Sequence, residues 1–566
     1  MQVNTTPSGP RYIAPRIEAN PWIVLVVLTL GFFMILLDTT IVNVAIPSME
    51  KGLNAGFDEI LWVLNAYMLI YAMLLITAGR LGDMFGPKRL FLIGLTIFTL
   101  ASVACGLSQS AGQLITFRVI QAVGGALLTP QTLAMLPHIF PPEKRGAAFG
   151  VWAGIAGLAA VIGPTLGGVL VTAFSWQSIF FVNLPVGIVT LVAAIVLMPE
   201  FRFDRRHNLD IPGVALASSG LFLLIFALIE GQKYSWGPIS SVGTFSIGST
   251  RWSVISIYSL IVYAITLLVV FVWFEQRTEE PLLPLTLFRD RNFTLSNLAG
   301  GTVTFTMSGF FIPMTIFLQS VRGYSAVHAG LILAPISLGL LVAAPLAGRL
   351  ADRINGKYLV TLGMVVAALG IALITNALSL SLTPWDILVP GVVMGLGMGT
   401  TFAPLTTLAF RDVSPALSGA ASGFLTTSRQ VSMAIGSAVL GAVLTNQVAG
   451  ELPKQAIRVA GQVPAQYRHY FITALRSSGH GAQQFGAGQL RPRGLPSSIP
   501  ASTVNQLIAL TRDVFDHAFL NGMRAPMAVA IIALLIGALT ASFMRGGRSA
   551  ADARKVERVA VAAAGE

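Results

Sequence analysis

Charge is scarce in this chain. Only 11% of its 566 residues are Asp, Glu, Lys or Arg, and 54% are hydrophobic; a soluble protein carries roughly a quarter charged residues. Mean hydropathy is +0.75. The deficit argues against a soluble domain and for a protein that crosses a membrane many times. Cysteine is scarcer still. Cys105 is single, so no intrachain disulfide framework can form; lying in an apolar run, it is expected to be a small buried packing residue. None of the six His falls mid-run, and no Cys/His pair has zinc spacing. No Walker A sequence is present, so the chain is expected to hydrolyse no ATP, to be no enzyme and to need no cofactor or metal. A secretory signal is absent, and the first apolar run, from Trp22 to Ile46, is expected to be retained.

What the sequence has is long apolar runs. With about 20 residues per crossing, spans fall near 22–46, 58–78, 89–108, 112–137, 147–171, 178–198, 210–231, 253–274, 295–320, 327–349, 358–379, 387–410, 417–447 and 524–545. An even number, fourteen, puts both termini on one side. Arg80, Lys88, Arg89, Lys144, Arg145, Arg349, Arg353 and Lys357 gather on one set of loops, while the short loops opposite carry only Lys51, Lys233, Arg251 and Arg322. Positive charge marks the cytoplasmic side, so both termini are expected there, in a cytoplasmic (inner) membrane. The net charge of +12 is read the same way, with the bilayer and not nucleic acid as partner. The long loop 450–523 is also basic, but long loops cross regardless of charge. It is rich in Gly, Gln, Pro and Ser around Gly481–Pro500 and is expected to be mostly irregular, with two short helices.

One motif occurs twice. Gly79-Arg-Leu-Gly-Asp-Met-Phe-Gly-Pro-Lys88 returns 269 positions later (348 − 79) as Gly348-Arg-Leu-Ala-Asp-Arg-Ile-Asn-Gly-Lys357. The copies follow spans two and ten, so the chain reads as two similar six-helix halves with two helices inserted between them. The expected organisation is a cytoplasmic N-terminus (1–21), a six-helix bundle (22–198), a linker with two extra helices (199–294), a second bundle (295–545) containing loop 450–523, and a cytoplasmic tail (546–566). The class is an all-α polytopic membrane protein.

A charge near the bilayer centre costs about 3 kcal/mol on insertion scales and needs a reason. Asp38, in Leu37-Asp-Thr-Thr-Ile-Val-Asn-Val-Ala-Ile-Pro47, is the clearest such acid, and Arg118 and Arg429 are the two bases well within spans. Burial raises a carboxyl pKa and a nearby Arg lowers it. A carboxyl balanced between the two can load and release a proton; the competing reading is a fixed Asp–Arg tie between helices. Arg118 lies in Phe117-Arg-Val-Ile-Gln-Ala-Val-Gly-Gly125, with Gln121 and Gly125 on one helical face. An Arg carries no proton itself but responds to the state of an acid. The matching position in the second half is Val392, so the halves differ in chemistry. Arg429, in Thr426-Thr-Ser-Arg-Gln-Val-Ser432, either binds substrate or tethers helices. Glu230 reads as an interfacial charge and Asp386 as a helix-start acid.

With these residues in view, the chain resembles the major facilitator superfamily and, within it, the fourteen-helix drug:proton antiporter family. Gly79–Arg89 is similar to the signature loop between helices two and three, Leu37–Pro47 to the helix-one motif, and Arg118–Gly125 to the helix-four motif. Gly150, Gly163, Pro164, Gly167 and Gly168 resemble the helix-five antiporter motif; Trp62, Tyr67 and Asn183-Leu-Pro185 also fit. Met84, Pro87, Ala159 and Gln177 depart from the family pattern.

The resemblance implies the major facilitator fold, with two bundles rocking about a midplane cavity. It implies proton coupling through Asp38 and Arg118, and gating by Gly79, Arg80, Asp83, Gly86, Lys88, Arg89, Gly348, Arg349 and Asp352. The helix-five glycines would act as hinge or seal. Asn43, Gln121, Phe310, Phe311, Phe317, Gln319, Arg429 and Gln430 are candidate cavity residues. The expected function is export of hydrophobic or amphipathic small molecules driven by the proton gradient; a lipid or lipid-precursor exporter is the alternative. Span ten has no acid, which disfavours a strictly dicationic substrate. Segment 450–523 could shield the cavity laterally or dock an extracytoplasmic partner.

Overall fold

The computed structural model describes residues 11–13, 20–202, 208–240, 244–247, 250–477 and 501–546. The first half runs α1 (Pro21–Leu53), α2 (Phe57–Phe85), α3 (Pro87–Gly106), α4 (Ala111–Ala134), α5 (Leu136–Ile139), α6 (Pro142–Ala173), α7 (Ser178–Phe181) and α8 (Asn183–Leu197). The inserted pair is α9 (Ile211–Glu230) and α10 (Ile257–Glu275). The second half runs α11 (Arg291–Ile316), α12 (Ala326–Ala351), α13 (Gly356–Ala377), α14 (Pro384–Ala409), α15 (Ser418–Val459), α16 (Ala465–Ser477), α17 (Ala501–Gly522) and α18 (Arg524–Ser542). Among the described residues, fourteen helices are long and apolar enough to cross a membrane.

Strands are few and peripheral. β1 (Arg11–Ile13) pairs antiparallel with β2 (Glu200–Arg202), Tyr12 opposite Phe201. β3 (Thr244–Ile247) and β4 (Thr250–Ser253) form a hairpin between the inserted helices. α9 packs on α10, and reaches α2 and α15, so the inserted pair lies along one seam between the halves.

Local signals explain the helix ends. Ser110 and Ser325 each accept an N–H from the third residue of the following helix, Thr383 and Asp386 form a capping box at α14, and Gly86 turns the chain between α2 and α3 at φ 93°. Asp210 accepts from Gly213 N (2.9 Å) at the start of α9, and at the same end of the pair Glu275 accepts from Leu282 N and Leu283 N (both 3.2 Å).

The described parts of segment 450–523 are helical to a greater extent than its composition suggests. α15 runs 42 residues, about 63 Å at 1.5 Å per residue, twice what a bilayer core needs. The cause is an apolar stripe that does not stop at Asn446: Leu440, Leu444, Val448, Leu452, Ala456 and Val459 are all buried. Leu444, Val448, Leu452, Ala456 and Val459 share one core with Leu507, Leu510, Val514, Phe515, Ala518 and Phe519 of α17. Arg458–Asp513 (2.9 Å) ties the two helices at the surface. The Gly481–Pro500 stretch and the tail from 547 onward lie outside the described residues. Cys105 is fully buried, and Glu230 is 5% exposed, more enclosed than an interfacial charge.

Candidate functional site

Asp38 is in α1, 17 residues from its start (38 − 21), and has no exposed surface. One of its oxygens, Oδ2, is paired with Arg118 Nη1 of α4. The other, Oδ1, accepts from Gln121 Nε2 (2.9 Å) and Asn183 Nδ2 (3.3 Å). Arg118 Nη1 also donates to Gln121 Oε1 (2.8 Å), and its Nε donates to the carbonyl of Val63 in α2 (3.2 Å). The guanidinium lies 4.1 Å from the centre of the Tyr67 ring, a cation–π contact. Asn183 reaches Ser102 Oγ (3.0 Å), which donates to the Phe180 carbonyl (2.9 Å).

This knot therefore draws on α1, α2, α3, α4 and α8, all in the first half. Buried charges persist only when paired and hydrogen-bonded, and here both oxygens of the acid are engaged. The i, i+3 spacing of Arg118 and Gln121 puts both on one face, as their sequence placed them. Gly125 on the same face makes room for Tyr67: a Cβ there would lie 2.9 Å from the phenol oxygen. Asn183 and Ser102 were not legible as partners of Asp38. Asn183 was visible only as part of a motif, and Ser102 gave no signal.

The repeated loops form a second arrangement. Asp83, at the end of α2, accepts from Gly419 N (2.7 Å) and Ala420 N (2.8 Å), the first turn of α15. Asp352, at the end of α12, accepts from Gly146 N (2.9 Å) and Ala147 N (3.1 Å), the fifth and sixth residues of α6. Each acid accepts backbone N–H groups near the N-terminal end of a helix of the opposite half, where the dipole favours an anion. Close approach requires glycine. A Cβ on Gly79 would lie 3.0 Å from Gly423 Cα, and one on Gly348 3.0 Å from Gly150 Cα. Arg80 is buried and lies near enough to Asp83 to act on its charge. Asp352 sits just beyond its span, and burial pushes its carboxyl up to about 6 against the pull of the two N–H donors.

The other loop bases stay within one half. Lys88 Nζ donates to the carbonyls of Ile195 (3.0 Å) and Met198 (2.6 Å), and Arg89 pairs with Glu200 (3.0 Å). Arg349 is exposed.

The helix-five glycines divide between two neighbours. Gly163 and Gly167 abut Thr40 and Ile41 of α1, while Gly150 and Gly168 abut α12 at Ala344, Pro345 and Val327. Pro164 packs near Gly330. Of the cavity candidates, Phe310 and Phe317 have no exposed surface and belong to the second-half core, so neither borders open space in this conformation. Phe311 packs against that core. Asn43 and Gln319 are exposed, and Arg429 and Gln430 are half-buried on α15.

Two six-helix halves joined by reciprocal caps, with a carboxylate–guanidinium pair enclosed among spanning helices, define a polytopic membrane transporter. The chain belongs to the Major Facilitator Superfamily, whose profile matches residues 28–437. It is 38% identical over 469 residues to an uncharacterized MFS-type transporter of Mycobacterium tuberculosis, covering 81% of this chain and 78% of that one. It is 30% identical to the tetracenomycin C resistance and export protein of Streptomyces glaucescens, covering 96% and 95%. Among solved structures it resembles the human organic anion transporter of this fold, with a TM-score of 0.52 and 14% identity over 87% of this chain and all of the other; at that identity the likeness is one of fold. The chain is a transporter and not an enzyme, a multi-pass membrane protein with an antibiotic exporter among its relatives.

Proposed function

We propose that this chain is a proton-coupled antiporter that exports hydrophobic or amphipathic small molecules by alternating access. The observation that carries this is Asp38, the carboxylate that the spans bury far from either helix end among the described residues. A neutral Asp38 releases its hold on Arg118 and weakens the bond from Gln121, so one proton changes how α1 sits against α4. The Asp83 and Asp352 caps hold the repeat-loop ends of the two halves together in this conformation. We assign that end to the cytoplasm from the distribution of basic residues. A change in α1 is then transmitted to the caps through α6, which packs on α1 by Gly163 and Gly167 and on α12 by Gly150. A relative that matches nearly end to end is a tetracenomycin C resistance and export protein, which supports outward movement of a small molecule.

The test uses inverted vesicles carrying a proton gradient and a panel of dyes, antibiotics and lipids. Wild type should release protons on addition of a transported compound, and Asp38→Asn should not. Equal release by both removes Asp38 from coupling. Movement that ignores the gradient in both leaves a facilitator.

A further inference from the structure

Arg429 is the second guanidinium held deep in the spans, and it lacks what Arg118 has. It stands eleven positions into α15 (429 − 418), roughly 16 Å along the helix and so about half the ~30 Å hydrocarbon thickness. Its Nη2 donates to Thr406 Oγ1 of α14 (3.0 Å), and its Cζ is 5.6 Å from the centre of the Phe402 ring. Its Nε is buried with no acceptor. Among the described residues no Asp or Glu lies within ion-pairing distance of it. Asp38, the acid enclosed far from either helix end, is already engaged by Arg118, Gln121 and Asn183.

The face of α15 that bears Arg429 is an interior one. Gly419 and Gly423 press on α2, and Gly436 presses on Phe305 of α11. Arg429 lies on the arc between them that meets α14. Away from the helix ends, formal charge within the described spans is therefore one pair that cancels plus one cation that does not. An arginine stays charged at any physiological pH, and an unpaired charge at this depth is costly.

We propose that Arg429 is the anchor for an anionic group, a carboxylate or sulfonate, on the transported amphiphile. This rests on the transport reading above and narrows its substrate class. The free Nε edge and the shared Nη2 offer two parallel N–H donors, the geometry that a carboxylate accepts bidentately, and the Thr406 hydroxyl holds the fork in place. Phe402 offers an aromatic face beside the charge for the ring system of the ligand. A cationic amphiphile meets repulsion here, and a neutral one gains nothing from Arg429.

The test measures binding by the purified full chain in maltoside micelles with no gradient, so it is independent of proton coupling. Two probes share one ring system: 1-anilinonaphthalene-8-sulfonate, permanently anionic, and N-phenyl-1-naphthylamine, neutral. Energy transfer from protein tryptophan reads both. Arg429→Gln should raise Kd for the sulfonate about 10- to 100-fold, the range for losing a charged hydrogen-bond partner, and leave the neutral probe within about twofold; Arg429→Lys should recover part of the loss. An unchanged sulfonate Kd, or equal weakening of both probes in a variant that unfolds at the wild-type temperature, overturns the assignment. If Arg429→Gln does not fold, Arg429→Lys and Thr406→Val decide: weakening of the sulfonate alone supports the anchor, and no difference between the probes refutes it. Failure of proton release with selective sulfonate binding intact would count against antiport and not against the anchor.

Discussion

Asp83 and Asp352 stand 269 positions apart and make the same contact in opposite directions. Asp83 of the first half accepts two N–H groups from the start of α15 in the second, and Asp352 of the second accepts two from the start of α6 in the first. Each bond to an ionised acceptor contributes about 1.5–3 kcal/mol. Asp83→Ala should therefore shift the halves toward separation at this end by at least tenfold. A cysteine placed at Ala421, fully buried beneath the cap, reports this by its rate of labelling with a membrane-impermeant maleimide. Cys105 is buried as well, so background labelling is low. A rate that Asp83→Ala leaves unchanged would show that the cap does not hold the end shut.

The Asp352 cap should respond to pH. Its carboxyl is pushed up to about 6 in the capped state, chiefly by burial, whereas a free Asp titrates near 3.9. The state with the higher pKa gains protons first, so capping is favoured as pH falls from about 6 toward 4 and is weakened as pH rises through 6. Labelling of a cysteine at Ala148 should slow across that window on acidification, and Asp352→Asn should flatten the profile. A profile that stays pH-dependent in Asp352→Asn would place the titrating group elsewhere.

Removing one partner of a buried ion pair leaves the other charge uncompensated, at a cost of about 3–5 kcal/mol. Asp38→Asn should lower thermal stability in detergent by an amount in that range, since Arg118 is 1% exposed. The double variant Asp38→Asn/Arg118→Gln should recover most of it while remaining inactive in proton release. A double variant as unstable as the sum of the singles would mean that the two residues do not act as a pair.

Glycine in α6 is required by contact and not by composition. A Cβ at Gly150 would lie 2.9 Å from Pro345 Cα, with Ala344 O nearer still, whereas Gly112 of α4 has nothing within 4 Å. Gly150→Val should force α6 from α12, lose about 1–3 kcal/mol to overpacking and cut export strongly. Gly112→Ala should leave both unchanged. Equal tolerance of the two substitutions would rule out tight α6–α12 packing.

Much of this was readable beforehand because the relevant physics is one-dimensional. A spanning helix needs about 20 apolar residues, so fourteen spans could be counted. A duplicated loop keeps its offsets, so the six-plus-two-plus-six plan and the pairing of Asp83 with Asp352 as counterparts were visible. Asp38 and Arg118 stood out because charge is rare in apolar runs. The reading of 450–523 fell short where composition was weighted over period: Leu444 to Val459 repeats at helical spacing, and its partner stripe on α17 begins 48 positions further on (507 − 459). Phe310 and Phe317 were expected at a cavity because aromatics suit one, yet they fill the second-half core.

By itself the sequence determined the number of spans, the duplication, the side on which basic residues gather and which rare charges the membrane must accommodate, because each is a property of a local window or of two windows compared. Only the tertiary structure decided which residues answer those charges. Val63, Ser102 and Asn183 complete the knot around Asp38 and Arg118 from three further helices. Lys88 and Arg89 turn back to their own half while the two acids cross to the other. Among the described residues Arg429 meets no acid. Hydrogen-bond partners lie within about 3 Å, and for the knot and the two loop acids the chain brings those on other helices there from 55 to 337 positions away, so pairing is set by how helices pack and is not written in any one of them.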